Sequence, residues 1–174
     1  MLACVDVGYG EESALAACLG FQAWSDAEEA CCARVRITHV EPYEPGAFYK
    51  RELPCVLAAL RALDRPVEVV VIDGYVWLSE GDSPGLGAHL FDALDRRVVV
   101  VGCAKTAFRG SSFALPVLRG HSQKPLFVTA AGVAPETAAD WVRAMHGAHR
   151  IPTLLKRVDQ WSRESSRGEL GPPG

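Results

Sequence analysis

Apolar residues come in short runs whose spacing changes along the chain. Leu2 to Gly8 and Ser13 to Phe21 are densely apolar, whereas Ala33 to Val40 alternates, with Val35 and Ile37 on one face and Arg34 and Arg36 on the other. Alternation of this kind predicts an antiparallel strand with one face to solvent, so three strands open the chain. Glu41 to Gly46 contains two prolines and a glycine. Proline removes backbone donors and glycine permits an unusual angle, so this stretch reads as a stiff loop. Helical spacing then puts Leu53, Val56, Leu57, Leu60 and Leu63 on one face. Pro54 fits only a first turn, so the helix is expected to begin near Arg51 or Glu52.

Val67 to Asp73 is an almost unbroken β-branched run, as in a strand covered on both faces, and Val98 to Lys105 is a second buried strand. A helix from Pro84 to Leu94 between them implies a parallel pair with a right-handed crossover. Short strands at Leu115 to Leu118 and Leu126 to Thr129 precede a capped helix from Pro135 to about His146 and a last helix from about Thr153 to Arg163. Residues 165–174 have too little apolar content to order themselves. With 174 residues, 49% of them hydrophobic, the chain is expected to form one α/β domain over residues 1–164.

Composition narrows the function classes. No apolar run is long enough to span a membrane, and the N-terminus lacks the charged segment and apolar stretch of a signal peptide, so a soluble, cytoplasmic protein is expected. The six cysteines show no CxxC spacing, and most lie in apolar runs where a thiol behaves as a small hydrophobe; adjacent Cys31 and Cys32 are the exception. A net charge of −3 gives no global attraction to a polyanion, so nucleic-acid binding would need a local basic surface or bound metal.

Asp6 between Val5 and Val7, and Asp73 after Val-Val-Val-Ile, are carboxylates in strands, where burial is costly unless the group is paired or binds a cation. With Glu52 at a helix start they would make a hard oxygen cluster of the kind Mg²⁺ or Mn²⁺ prefers, suited to phosphodiester hydrolysis. Each also has a plain reading as a helix cap or surface residue. Lys105, at the end of the second parallel strand, either holds a phosphate or faces solvent. His89 is either a structural or a functional histidine. Tyr43, between two prolines, either stacks on a base or pins its loop to the core.

Four segments in order resemble the endonuclease V family: Cys4 to Tyr9, Pro42 to Glu52, Ile72 to Gly74 and Val101 to Thr106. The resemblance implies an RNase H-like mixed β-sheet flanked by helices, and Mg²⁺-dependent cleavage of DNA or RNA on the 3′ side of a deaminated base, typically inosine. It implies that Asp6, Glu52 and Asp73 bind metal, that Lys105 stands near the scissile phosphate, and that Asp159 takes the late position where the family has histidine or aspartate. Tyr43 would fill the space of a base turned out of the stack, with Gly46 and Phe48 lining the pocket and His89 on a helix that carries a family histidine. The family usually continues Asp-Gly with His-Gly and a further histidine. Here Tyr75, Val76, Trp77, Leu78 and Ser79 follow Gly74. A monomer with an inosine-bearing strand as partner is expected, and the alternative is a nucleic-acid-binding protein of weak or no activity. A hydrolase of small phosphate esters is the third reading, which removal of Tyr43 discriminates.

Overall fold

A computed structural model describes residues 1–10, 13–38, 44, 46–79, 83–108 and 113–164. Tyr43 and the tail 165–174 lie outside the described residues. Among those described, seven strands form one sheet: β1 Leu2–Tyr9, β2 Ala14–Phe21, β3 Cys31–Ile37, β4 Val69–Ile72, β5 Val99–Ala104, β6 Leu115–Val117 and β7 Leu126–Ala131. Four helices accompany them: α1 Phe48–Ala62, α2 Leu86–Ala93, α3 Pro135–Ala144 and α4 Thr153–Arg163. None of these is long and apolar enough to cross a membrane.

The strand order is β3-β2-β1-β4-β5-β7-β6, with β1, β4 and β5 mutually parallel and the remaining pairs antiparallel. The β-branched run predicted to be covered on both faces is fully buried β4, between β1 and β5. Strand side chains alternate between faces. Ala3, Val5, Val70, Ile72 and Val100 join the core beneath α1 and α2, whereas Cys4, Val71, Val101 and Cys103 join the core beneath α3 and α4. Each core therefore closes one face of the sheet with a helical pair.

Two sequence expectations need correction. Helix α1 starts at Phe48, so Pro54 sits inside it rather than in its first turn. Proline interrupts the helical ladder by lacking an N–H, but Pro54 and Lys50, whose carbonyl is freed, are both exposed. The predicted apolar face does meet the core: Val56 and Leu63 are buried and Leu53, Leu57 and Leu60 pack against the same cluster, while Glu52, Cys55 and Ala59 widen the buried stripe on one side. In α3 no side chain caps the N-terminus; Pro135 stands at its start, where its missing N–H costs nothing.

Candidate metal centre

Period-two alternation carries the chemistry onto one face. Asp6 follows the parity of Cys4, Asp73 that of Val71, and Lys105 that of Cys103, so all three lie on the side covered by α4. The parallel register pairs Val5 with Ile72, which brings Asp6 and Asp73 to adjacent strand positions. Glu52 arrives from the other face, because its place in the buried stripe of α1 directs it over the end of the sheet. Asp6, Glu52 and Asp73 line one open cleft of about 440 Å³ with Gly8, Tyr9, Phe48 and Arg163.

Electrostatics mark Glu52 and Asp6 as costly to ionise. Burial, reinforced by the charges of Asp6 and Asp73, pushes the Glu52 carboxyl up from 4.5 to about 8. Its side chain is 9% exposed and accepts no hydrogen bond among the described residues. Burial also raises Asp6, against the lowering effect of a 2.6 Å hydrogen bond from Ser162 Oγ, while Asp73 and Asp159 add to the rise. Lys105 Nζ lies 2.7 Å from Asp73 and 3.4 Å from Asp159. Partial burial alone would lower Lys105, but the hydrogen bond and charge of Asp73, with those of Asp159, outweigh it and hold the ammonium above its usual range.

Among the described residues no three His, Cys, Asp or Glu side chains converge into a cage for an ion; Asp73 instead pairs with Lys105 and Asp6 with Ser162. The donor chemistry fits a hard divalent cation nonetheless. Three carboxylates line one cleft, and the buried member has no donor of its own, a deficit of positive charge that a cation would fill.

Asp159 comes to the site on α4, where it accepts from Arg163 at 2.8 Å as well as meeting Lys105. Gly46 is exposed with a positive φ of 80°, and Phe48, 42% exposed, stands edge-on to Tyr9. His89 does not line the carboxylate cleft; its ring stacks on Tyr49 at 3.6 Å between α1 and α2. The residues after Gly74 serve the fold. Tyr75 Oη donates to the Thr106 carbonyl at 2.8 Å and accepts from the Phe108 amide, and Trp77 donates to Ala130.

Sequence reasoning missed Ser162 and Arg163. Helical spacing had the signal, since positions three and four beyond Asp159 share its face. Gly8 lets α4 come this close, because a Cβ there would run into the Ser162 carbonyl. Ser162→Ala should cost about 10–100-fold in metal affinity or activity, the usual penalty for losing the partner that orients a ligand. Calorimetric titration with Mn²⁺ checks this, and unchanged affinity and activity would limit Ser162 to packing.

A mixed sheet ordered in this way, with helices on both faces and acidic side chains on neighbouring parallel strands, defines the RNase H-like α/β class. Residues 1–122 match the family model described as Endonuclease V. An endonuclease V from Roseiflexus castenholzii is 31% identical over 177 residues, covering 89% of this chain and 77% of its own length. One from Rhodospirillum centenum is 32% identical over 140 residues, covering 68% of this chain, which spans only 57% of that relative. The crystal structure of endonuclease V from Streptomyces avermitilis superposes with a TM-score of 0.71 at 28% identity, covering 91% of this chain and 78% of that one. The Bacillus subtilis structure superposes at 0.72 with 20% identity, a likeness of fold. The chain belongs to the endonuclease V family. The matched segment contains Asp6, Glu52, Asp73 and Lys105, while Asp159 lies beyond it.

Proposed function

We propose that this protein is a metal-dependent endonuclease that cuts a phosphodiester bond 3′ to a deaminated base, inosine above all, in DNA or RNA, in nucleic-acid repair or processing. The observation that carries the reading is the placement of Asp6, Glu52 and Asp73, from β1, α1 and the end of β4, along the lining of one open cleft. Asp6, Glu52 and Asp73 would hold Mg²⁺, or Mn²⁺, whose ligand preferences are met by the same oxygens. Bound there, the ion supplies the charge that activates water and stabilises the departing oxygen.

The chain's own residues prepare the site. Ser162 donates to one oxygen of Asp6 and so orients a carboxyl that lines the cleft. Lys105 presents a firmly protonated ammonium beside Asp73, placed to neutralise the scissile phosphate. Asp159 and Arg163 brace Lys105 from α4. Tyr43 would fill the space that the displaced base leaves, Gly46 and Phe48 would line the pocket that takes the base, and His89 would support that side through Tyr49. The protein would act as a monomer in the cytoplasm, through one domain spanning residues 1–164.

A weakly active or inactive nucleic-acid-binding protein is the second reading, favoured by Tyr75 and Ser79 standing where the family usually carries polar site residues, with Tyr75 committed to an internal bond with the Thr106 carbonyl. Cleavage of labelled single-stranded and duplex DNA and RNA, with and without one inosine, decides between them. Cuts beside inosine should require Mg²⁺ or Mn²⁺, vanish with chelator and fall to background in Asp73→Asn. Binding without cuts on any strand would establish the second reading.

A further inference from the structure

Lys105 begins where strand pairing stops fixing the backbone. Strand β5 ends at Ala104, and the last β5–β7 pair is Ala104 with Phe127. Beyond that point the Lys105 carbonyl accepts a hydrogen bond from Arg150 Nη2, which also donates to the Pro125 carbonyl at 2.9 Å. One guanidinium thus ties the end of β5 to the chain entering β7. Arg150 is half-buried, and its Nε is buried without a partner. Among the described residues it forms no ion pair, so no acid accounts for its placement.

The segment bearing Arg150 also leads into α4, where the Thr153 amide bonds the His146 carbonyl at 2.9 Å. Helix α4 supplies Asp159, the second partner of Lys105 Nζ. The same short segment therefore relates the backbone of Lys105 to the helix that meets its side-chain tip. A lysine has a long, freely rotating stem, so the direction in which its Cα–Cβ bond leaves the backbone decides where Nζ can settle. A backbone rotation of about 10° moves a group at that reach by about 1 Å, and a misplacement of that size can cost about 100-fold in rate.

We propose that Arg150 is a positioning residue for Lys105: it anchors the Lys105 carbonyl so that Nζ is delivered between Asp73 and Asp159, where the scissile phosphate is to be met. The proposal rests on the role given to Lys105 above, and a double-mutant cycle separates the two. Arg150→Met keeps length and apolar stem but removes every donor. It should lower kcat by about 10–100-fold with KM within about twofold and with strand affinity in chelator unchanged. In a Lys105→Met background the same change should alter kcat less than about twofold, because the group it positions is gone.

An equal fold-loss in both backgrounds, or a loss confined to KM, would overturn the proposal and leave Arg150 a residue of general stability. If Lys105→Met alone leaves kcat unchanged, the role of Lys105 fails and the Arg150 proposal falls with it. Should Arg150→Met not fold, Arg150→Gln, which retains a donor, takes its place in the cycle. Should the wild type cut nothing, crystal structures of wild type and variant decide: Nζ displaced from Asp73 supports the proposal, and an unmoved Nζ overturns it.

Discussion

Glu52→Gln should make the metal-free protein more stable while abolishing cleavage. Folding forces the Glu52 carboxyl into a buried place beside Asp6 and Asp73, which raises it from 4.5 to about 8. Between those two pH values the folded protein holds a proton that the unfolded chain has released. Stability therefore falls as pH rises through this window, and the whole penalty is present above it. Glutamine fills the same volume without the charge, so in chelator the variant should gain on the order of 3 kcal/mol at pH 8 and nothing below pH 4.5. Saturating Mg²⁺ should reverse the order, because a cation that binds the folded wild type stabilises it and finds one ligand fewer in the variant. Urea melts from pH 4.5 to 8.5, with and without Mg²⁺, check both halves. A variant no more stable than wild type at pH 8 in chelator would show that Glu52 is not held within the carboxylate set.

Arg119→Met should cost about 3–5 kcal/mol, the range for stripping a buried charged group from its hydrogen bonds. Arg119 is 6% exposed and sits just past β6. Its guanidinium donates to four carbonyls, those of Met145, Gly147, His149 and Arg150, the last three at 3.1, 2.9 and 3.4 Å. Methionine fills much of the space but leaves the buried Met145 carbonyl and three part-buried carbonyls without that donor. Arg119→Lys should recover less than half of the loss, since one ammonium cannot reproduce the planar fork that reaches several acceptors. The free energy from chemical denaturation provides the test, and a loss below about 1 kcal/mol would mean that water takes over the four carbonyls. Cleavage should fall with stability, because the segment gripped by Arg119 carries Arg150 and feeds α4.

Much of the fold was legible because strand patterning is local. Val69 to Ile72 and Val99 to Ala104 announce buried parallel strands through β-branched content alone, and the acidic residues at Asp6 and Asp73 stand out against apolar neighbours. The start of α1 was misread because Pro54 was treated as a boundary. A proline is tolerated inside a helix where the surroundings absorb its lost hydrogen bond and ring clash, and exposure is not written in a local window. Glu52 is legible as a candidate carboxylate, but its burial is not, since it stands beside the apolar face of α1 rather than within it.

The supports of the site were illegible for a different reason. Ser162 meets Asp6 across 156 residues, Lys105 meets Asp159 across 54, and Arg150 meets Lys105 across 45. Helical spacing puts Ser162 on the face of Asp159, but it does not say that Asp6 waits across that face, and nothing beside Arg150 in the chain distinguishes it from a surface arginine.

The sequence by itself determined the strands and helices, the parity that sends Asp6, Asp73 and Lys105 to one face, and the family motifs. Those properties depend on periodicity and on the cost of burying charge, which act over a few neighbouring residues. Only the tertiary structure decided how deeply Glu52 is buried, which residues orient the carboxylates, and how Arg119 and Arg150 lock the segment between α3 and α4 to the sheet. These depend on which surfaces meet when the chain packs, and hydrogen bonds between remote groups exist only after that packing has brought them within reach.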